Sequence, residues 1–324
     1  MGEIVIPDSV TKIGAQAFNG VKGVSTITLG KNITSLGGGL FGNSSIETVN
    51  IHKDMKLLTT TTAFTGSDQG SCSVRVLNDN GNEKIYEKDG VFYQIGTSGN
   101  SSLIGASVDV TSIVCDDICT MVLSRALDNK QKLVSVDLNN VTKVGGLPFF
   151  QCRKLTSLQA PNVTSIDGRP FEGTGLTYVY LPKLVSTSNA GENSAIINYL
   201  RGTIKLGASL EKLGYGTFST HAGVVSNIKV IDLSECIKLK ELSNGVIRNQ
   251  EHLTSILLPN GLEVIREGAF VNISTEFTLV IPESVKTIEP GAFSDCPLMK
   301  LEAPSHLKEQ NTNSRWGTSN IIWY

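Results

Sequence analysis

LTSILLPNGLEVIREGAF (residues 253–270) and FTLVIPESVKTIEPGAFSDC (277–296) hold the same residue types in the same order, offset by 23 positions. Each opens on an apolar triplet, Ile256-Leu257-Leu258 or Leu279-Val280-Ile281, that runs into a proline. A second apolar pair follows, Leu262 with Ile265 and Val285 with Ile288, and Gly-Ala-Phe closes the unit. Internal repetition at a fixed period is a stronger guide to fold than any local pattern. IVIPDSVTKIGAQAF (4–18) is a third clear copy. Working outward, Ala17-Phe18, Leu40-Phe41 and Ala63-Phe64 are again 23 apart, as are Ala126-Leu127 and Phe149-Phe150, and Trp316 stands 23 past Phe293. Eleven residues before most of these aromatics is a Pro or Gly: Pro7, Gly30, Gly207, Pro259 and Pro282. Phe171, Phe218 and Ile247 continue the series at irregular gaps.

The unit therefore reads as a short strand, a Pro/Gly stop, an apolar bend, Ala-Phe and a polar turn. In an extended triplet the outer two side chains face inward and the middle one outward. A unit this short cannot bury a core alone, whereas stacked copies share one. The sequence predicts a repeat solenoid over 1–324, mainly β with short turns and helical segments, and one parallel sheet on its concave side. The outward row of that sheet is read as Val5, Thr28, Asn50, Arg75, Val114, Asp137, Gln159, Tyr180, Lys205, Asp232, Leu257, Val280 and Glu302.

Composition agrees. The chain has 324 residues, 40% of them apolar, with 32 glycines, which favours many turns over long helices. A formal net charge of -2 argues against a nucleic-acid partner, which draws on a basic excess. No apolar run is long enough to cross a membrane as a helix. The opening, MGEIVIPDSV, lacks the basic and apolar regions of a signal peptide and lands in mid-pattern, so a mature fragment or a missing upstream domain is expected.

These residues resemble the BspA-like leucine-rich repeat, a type of surface protein in bacteria and protozoa. The resemblance is carried by the Leu-Pro stop, the Val-x-x-Ile segment, Ala-Phe and the cysteine that follows it, most closely in 253–270 and 277–296. Residues 171–218 depart from the pattern, and SNAGENSAII (188–197) is expected to loop. Two further stretches fit the resemblance. KIYEKDGVFYQIG (84–96) is expected as an inserted hairpin spanning about 79–105, with Asp89-Gly90 as a type I′ turn. LKEQNTNSRWGTSNIIWY (307–324), within a terminal unit at about 304–324, is expected to cap the open core through Trp316 and Ile321-Ile322. The resemblance implies a non-catalytic, extracellular or cell-surface module for protein-protein interaction, with adhesion to host or matrix components as its role. A structural spacer, or a polysaccharide-acting enzyme on a parallel β-helix with three sheets per turn, are the alternatives.

No catalytic residue, metal site or cofactor is expected. Gly37-Gly38-Gly39-Leu40-Phe41-Gly42 satisfies G-x-G-x-x-G, but Gly37 and Phe41 fall in phase with Gly14 and Phe18, so the repeat accounts for them. His52, His221, His252 and His306 form no metal-binding spacing, and Asp116 and Asp117 read as solvated turn residues. Of the cysteines at 72, 115, 119, 152, 236 and 296, those at 152, 236 and 296 repeat in phase and read as buried free thiols. The candidate binding surface lies on the outward row: Tyr178 and Tyr180 from one strand, Lys205 from the next, with Gln159 and Asp232 to either side. Aromatic and cationic side chains there are suited to anchor a macromolecular partner.

Overall fold

A computed structural model describes residues 2–46, 48–52, 73–77, 85–96, 98–107, 109–187, 196–197, 200–220 and 227–324. The expectations for Ala63-Phe64, Cys72, His221 and most of the 188–197 loop lie outside these residues, and at Arg75 the backbone alone is described. The chain groups into two compact units, Met1–Ser157 and Leu158–Tyr324.

In the first unit, Gly2–Val5, Val24–Thr28, Thr48–His52 and Ser73–Leu77 run parallel, with Val5, Thr28, Asn50 and Arg75 in register. That is the row expected from alternation. Their neighbours Ile27, Leu29, Val49 and Ile51 are fully buried. The Phe18 and Phe41 rings stack at 5.7 Å, an offset contact that repeats because the chain returns to the same place after one period. Val114 and Asp137 pair in the same way on Ser112–Val114 and Ser135–Asp137.

The hairpin is present. Ile85–Lys88 and Val91–Ile95 pair antiparallel around Asp89 and Gly90, whose φ of 53° and 75° are those of a type I′ turn. A third strand, Ser101–Ala106, lies antiparallel to Val91–Ile95 and parallel to Cys119–Val122, so the insertion is hydrogen-bonded into the repeat ladder.

Here one expectation is corrected. Asp116 is not a solvated turn residue. Its carboxylate accepts hydrogen bonds from Tyr86 Oη (2.7 Å) and Lys88 Nζ (2.7 Å), and its N–H donates to Tyr93 Oη (3.2 Å). Asp117 is engaged as well, accepting from Asn139 Nδ2 at 2.8 Å. The hairpin brings its own donors to Asp116 from 28 and 30 residues away. The Lys88 bond holds the carboxyl below its usual range; partial burial opposes this and the Tyr86 bond adds to it. A carboxylate lowered in the folded state stabilises it above its unfolded pKa and ceases to do so as pH falls through the folded value. Acidification below about pH 4, the ordinary Asp value, is therefore expected to loosen the hairpin. Amide exchange of Val91–Ile95 checks this: its protection relative to the intrinsic rate at each pH should fall in acid in the native protein, more than in neighbouring coils, and be low at both pH values in Asp116→Asn.

In the second unit, Tyr178–Leu181, Arg201–Leu206, Asn227–Asp232 and Ser255–Leu257 form the outward parallel row. Thr278–Val280, Lys300–Ala303 and Ile321–Trp323 continue it as a separate sheet. Two further rows accompany it. Glu241–Leu242, Val264–Ile265 and Thr287–Ile288 form one. Phe218–Ser219, Ile247–Gln250, Phe270–Ile273 and Phe293–Ser294 form the other, placing Phe218, Ile247, Phe270 and Phe293 in one register line. The cause is the fixed period: when successive coils have the same conformation, N–H and C=O groups align on every side of the coil. Arg266 N–H thus donates to Leu242 O at 3.0 Å, and Phe270 N–H to Ala292 O at 2.9 Å. The Phe270 and Phe293 rings stack at 5.1 Å. The helical content described is a kinked 3-10 segment, Ser305–Ser314, which leads to the fully buried Trp316.

Cys152, Cys236 and Cys296 are free and buried, as expected. Each donates to a carbonyl of the preceding coil, Leu127, Leu206 and Phe270 respectively. Burial pushes their thiols up to about 12, about 12 and about 11.

Candidate binding surface

The outward row of the second unit begins at Tyr178–Leu181, where alternation buries Val179 and Leu181 and turns Tyr178 and Tyr180 out. Parallel register sets Tyr180 beside Lys205, Lys205 beside Asp232, and Asp232 beside Leu257. The Lys205 ammonium lies 5.5 Å from the centre of the Tyr180 ring, a cation–π contact. It also pairs with Glu235 at 2.7 Å and Asp232 at 3.8 Å. Tyr180 Oη donates to the other Glu235 oxygen at 2.7 Å.

Glu235 is the residue that the strand pattern misses, because it lies in the turn after Asn227–Asp232. Asp232 sets that turn by accepting from Ser234 N–H (2.9 Å) and Ser234 Oγ (2.6 Å), which aims Glu235 back over the sheet. The signal was Asp-x-Ser directly after the strand. Hydrogen bonds from Lys205 and Tyr180 hold the Glu235 carboxyl below its usual range, and Glu235 in turn raises Lys205 and Tyr180. All three are charged or hydrogen-bonded as a set at neutral pH.

The structure thus brings together Tyr178, Tyr180, Lys205 and Asp232. Gln159 is exposed on Ser157–Gln159, a strand outside this sheet. Tyr178 is 53% exposed and stands free above the ordered cluster. Further along the face the surface turns apolar. Leu257, Val280, Pro282 and Tyr324 line an open groove of about 460 Å³ where no ladder hydrogen bond joins Ser255–Leu257 to Thr278–Val280.

The other motifs resolve into fold. The Gly37–Gly42 run sits in a coil bend with Gly37 N–H donating to Ile13 O at 2.8 Å, and the strand before it is the two-residue Ser35–Leu36. Among the described residues no group of three or more His, Cys, Asp or Glu side chains is placed to hold a metal ion. His306 Nε2 is hydrogen-bonded to Val285 O at 2.8 Å. No described helix is long and apolar enough to cross a membrane.

No curated protein matches the sequence. Among solved structures, a leucine-rich repeat protein from Eubacterium ventriosum is similar at 19% identity and a TM-score of 0.52, over 91% of this chain and 82% of that one. A leucine-rich repeat protein from Bacteroides ovatus matches at 16% identity and a TM-score of 0.48, over 99% and 92%. A leucine rich cell surface protein from Faecalibacterium prausnitzii matches at 15% identity and a TM-score of 0.28, over 74% and 94%. The family described as the BspA type Leucine rich repeat region matches in six copies over residues 1–76, 106–194 and 198–321. The 23-residue register, the stacked Phe positions and this match over most of its length agree: the chain belongs to the BspA-type leucine-rich repeat family.

Proposed function

We propose that the protein is a non-catalytic, cell-surface or secreted binding module that uses no cofactor. Its turns form a single array with an inserted hairpin and a closing C-terminal unit. The partner is a protein or other macromolecule, with adhesion to host or matrix components as the role, and it docks on the outward face at Tyr178, Tyr180, Lys205 and Asp232. One observation carries this reading: an exposed Tyr178 stands beside a Tyr180–Lys205–Glu235 cluster that is already ordered. A surface whose side chains are fixed before contact loses little entropy on binding, and tyrosine is a frequent anchor at interface centres.

Binding of the labelled protein to cultured epithelial cells and to matrix-coated surfaces tests it. Tyr178→Ala removes an exposed ring, so the unfolding midpoint should not move, while binding should weaken by about tenfold or more. Unchanged binding after Tyr178, Tyr180 and Lys205 are all changed to Ala would favour the spacer. Three strand rows per turn, with two carboxylates around Lys205, also suit a polysaccharide-acting β-helix. Glycan turnover that disappears in Glu235→Gln would move the reading there.

A further inference from the structure

In several repeats, two core positions four residues apart straddle one tight turn. Leu29 and Ile33, Leu206 and Leu210, Leu258 and Leu262, and Ile281 and Val285 are such pairs, and all are buried. In every case the second residue's N–H donates to the carbonyl three residues earlier, from Ile33 to Gly30, Leu210 to Gly207, Leu262 to Pro259 and Val285 to Pro282. Cys115 and Cys119 occupy this pair of positions in their own coil, with Cys119 N–H donating to Asp116 O at 2.8 Å. Both are fully buried and flank that one turn.

They differ from the other buried cysteines. Cys152, Cys236 and Cys296 each reach a backbone carbonyl of the preceding coil, whereas the Cys119 thiol donates to Met121 O of its own coil at 3.4 Å. Two thiols on one turn are also smaller than the Leu and Ile that other coils place there. The hairpin packs next to them: Tyr93 is buried, and its hydroxyl accepts from Asp116 N–H inside the Cys115–Cys119 turn.

We propose that Cys115 and Cys119 are a modification site, closing to a disulfide by exchange with a small-molecule disulfide such as oxidised glutathione. One protein thiol gives up its proton and its sulfur attacks the glutathione disulfide, whose S–S bond breaks and releases one glutathione thiolate. The second thiol then loses its proton, attacks the mixed disulfide and expels the other glutathione. Both protein sulfurs are oxidised, and the oxidised glutathione is reduced to two thiols, which take up the two protons. Cys119 is the first nucleophile: the neighbouring Cys115 thiol draws it below the usual value, while Cys119, together with burial, pushes Cys115 up.

Non-reducing tryptic mass spectrometry of the full chain tests this. The peptide of residues 89–125 contains Cys115 and Cys119 as its only cysteines and no internal Lys or Arg before Arg125. The native protein is incubated with mixed oxidised and reduced glutathione, and a second sample is refolded from denaturant through the same buffer. The expected result, in at least the refolded sample, is a peptide lighter by two hydrogens, with two fewer alkylatable thiols in the denatured chain and both changes reversed by a reductant. An unchanged mass in both samples would overturn the proposal. So would a retained glutathione adduct, or a crosslink from either residue to another cysteine.

Discussion

Replacing Trp316 with alanine is expected to lower stability by about 3–5 kcal/mol, the range for deleting a large aromatic from a packed core. Trp316 is fully buried and occupies the position that Phe270 and Phe293 hold in the two preceding coils. Its carbonyl accepts from Phe293 N–H at 2.9 Å, and its own N–H donates to Asn311 Oδ1 at 2.9 Å. The indole meets Trp323 at 5.8 Å with a tilt of 54°. Removing it would leave the Phe293 layer facing a cavity. Trp316→Phe separates volume from polarity. The indole N–H has no partner among the described protein atoms, so phenylalanine loses no hydrogen bond and leaves only part of the indole's volume empty, and its cost is expected to be well below that of Trp316→Ala. Denaturant unfolding of both variants checks this. A cost for Trp316→Ala below about 1 kcal/mol, the level of an ordinary point mutation, would mean that the apolar stack does not extend to this residue.

Much of this architecture is legible before any coordinates. The Pro/Gly stop indexes each strand, and alternation then assigns its faces. This is why Val5, Thr28 and Asn50, and likewise Tyr180, Lys205, Asp232 and Leu257, are expected in one row and are found in register. The two additional strand rows were not legible. Glu241–Leu242 and Val264–Ile265 are two residues long, too short to carry an alternation, and their pairing comes from the stacking period rather than from local preference.

Within the candidate site, Tyr178, Tyr180, Lys205 and Asp232 were readable because they sit on strands. Glu235 was not, because it lies where the repeat loses its regular spacing: Phe218 and Ile247 are register partners 29 residues apart rather than 23. Gln159 marks the limit of extending a row across strands without knowing which of them bond. Asp116 failed for a different reason. Its partners Tyr86 and Lys88 belong to an insertion, and nothing in the period says where an insertion folds back.

The stacking itself is tested most directly by two glycines at the same repeat position, Gly14 and Gly37, which are 23 residues apart. A Cβ at Gly14 would meet nothing within 4 Å. One at Gly37 would lie 2.1 Å from Ala15 N and 2.5 Å from Ala15 Cα, because that coil rests on the backbone of the coil before it. No rotamer relieves a clash of Cβ with main chain. Gly37→Ala is therefore expected to cost about 3 kcal/mol or more, while Gly14→Ala stays within about 0.5 kcal/mol of the parent. The measurement is the unfolding free energy of the two single variants side by side. A large loss confined to Gly37→Ala is the predicted result, and equal effects at the two positions would contradict a coil stacked at this register.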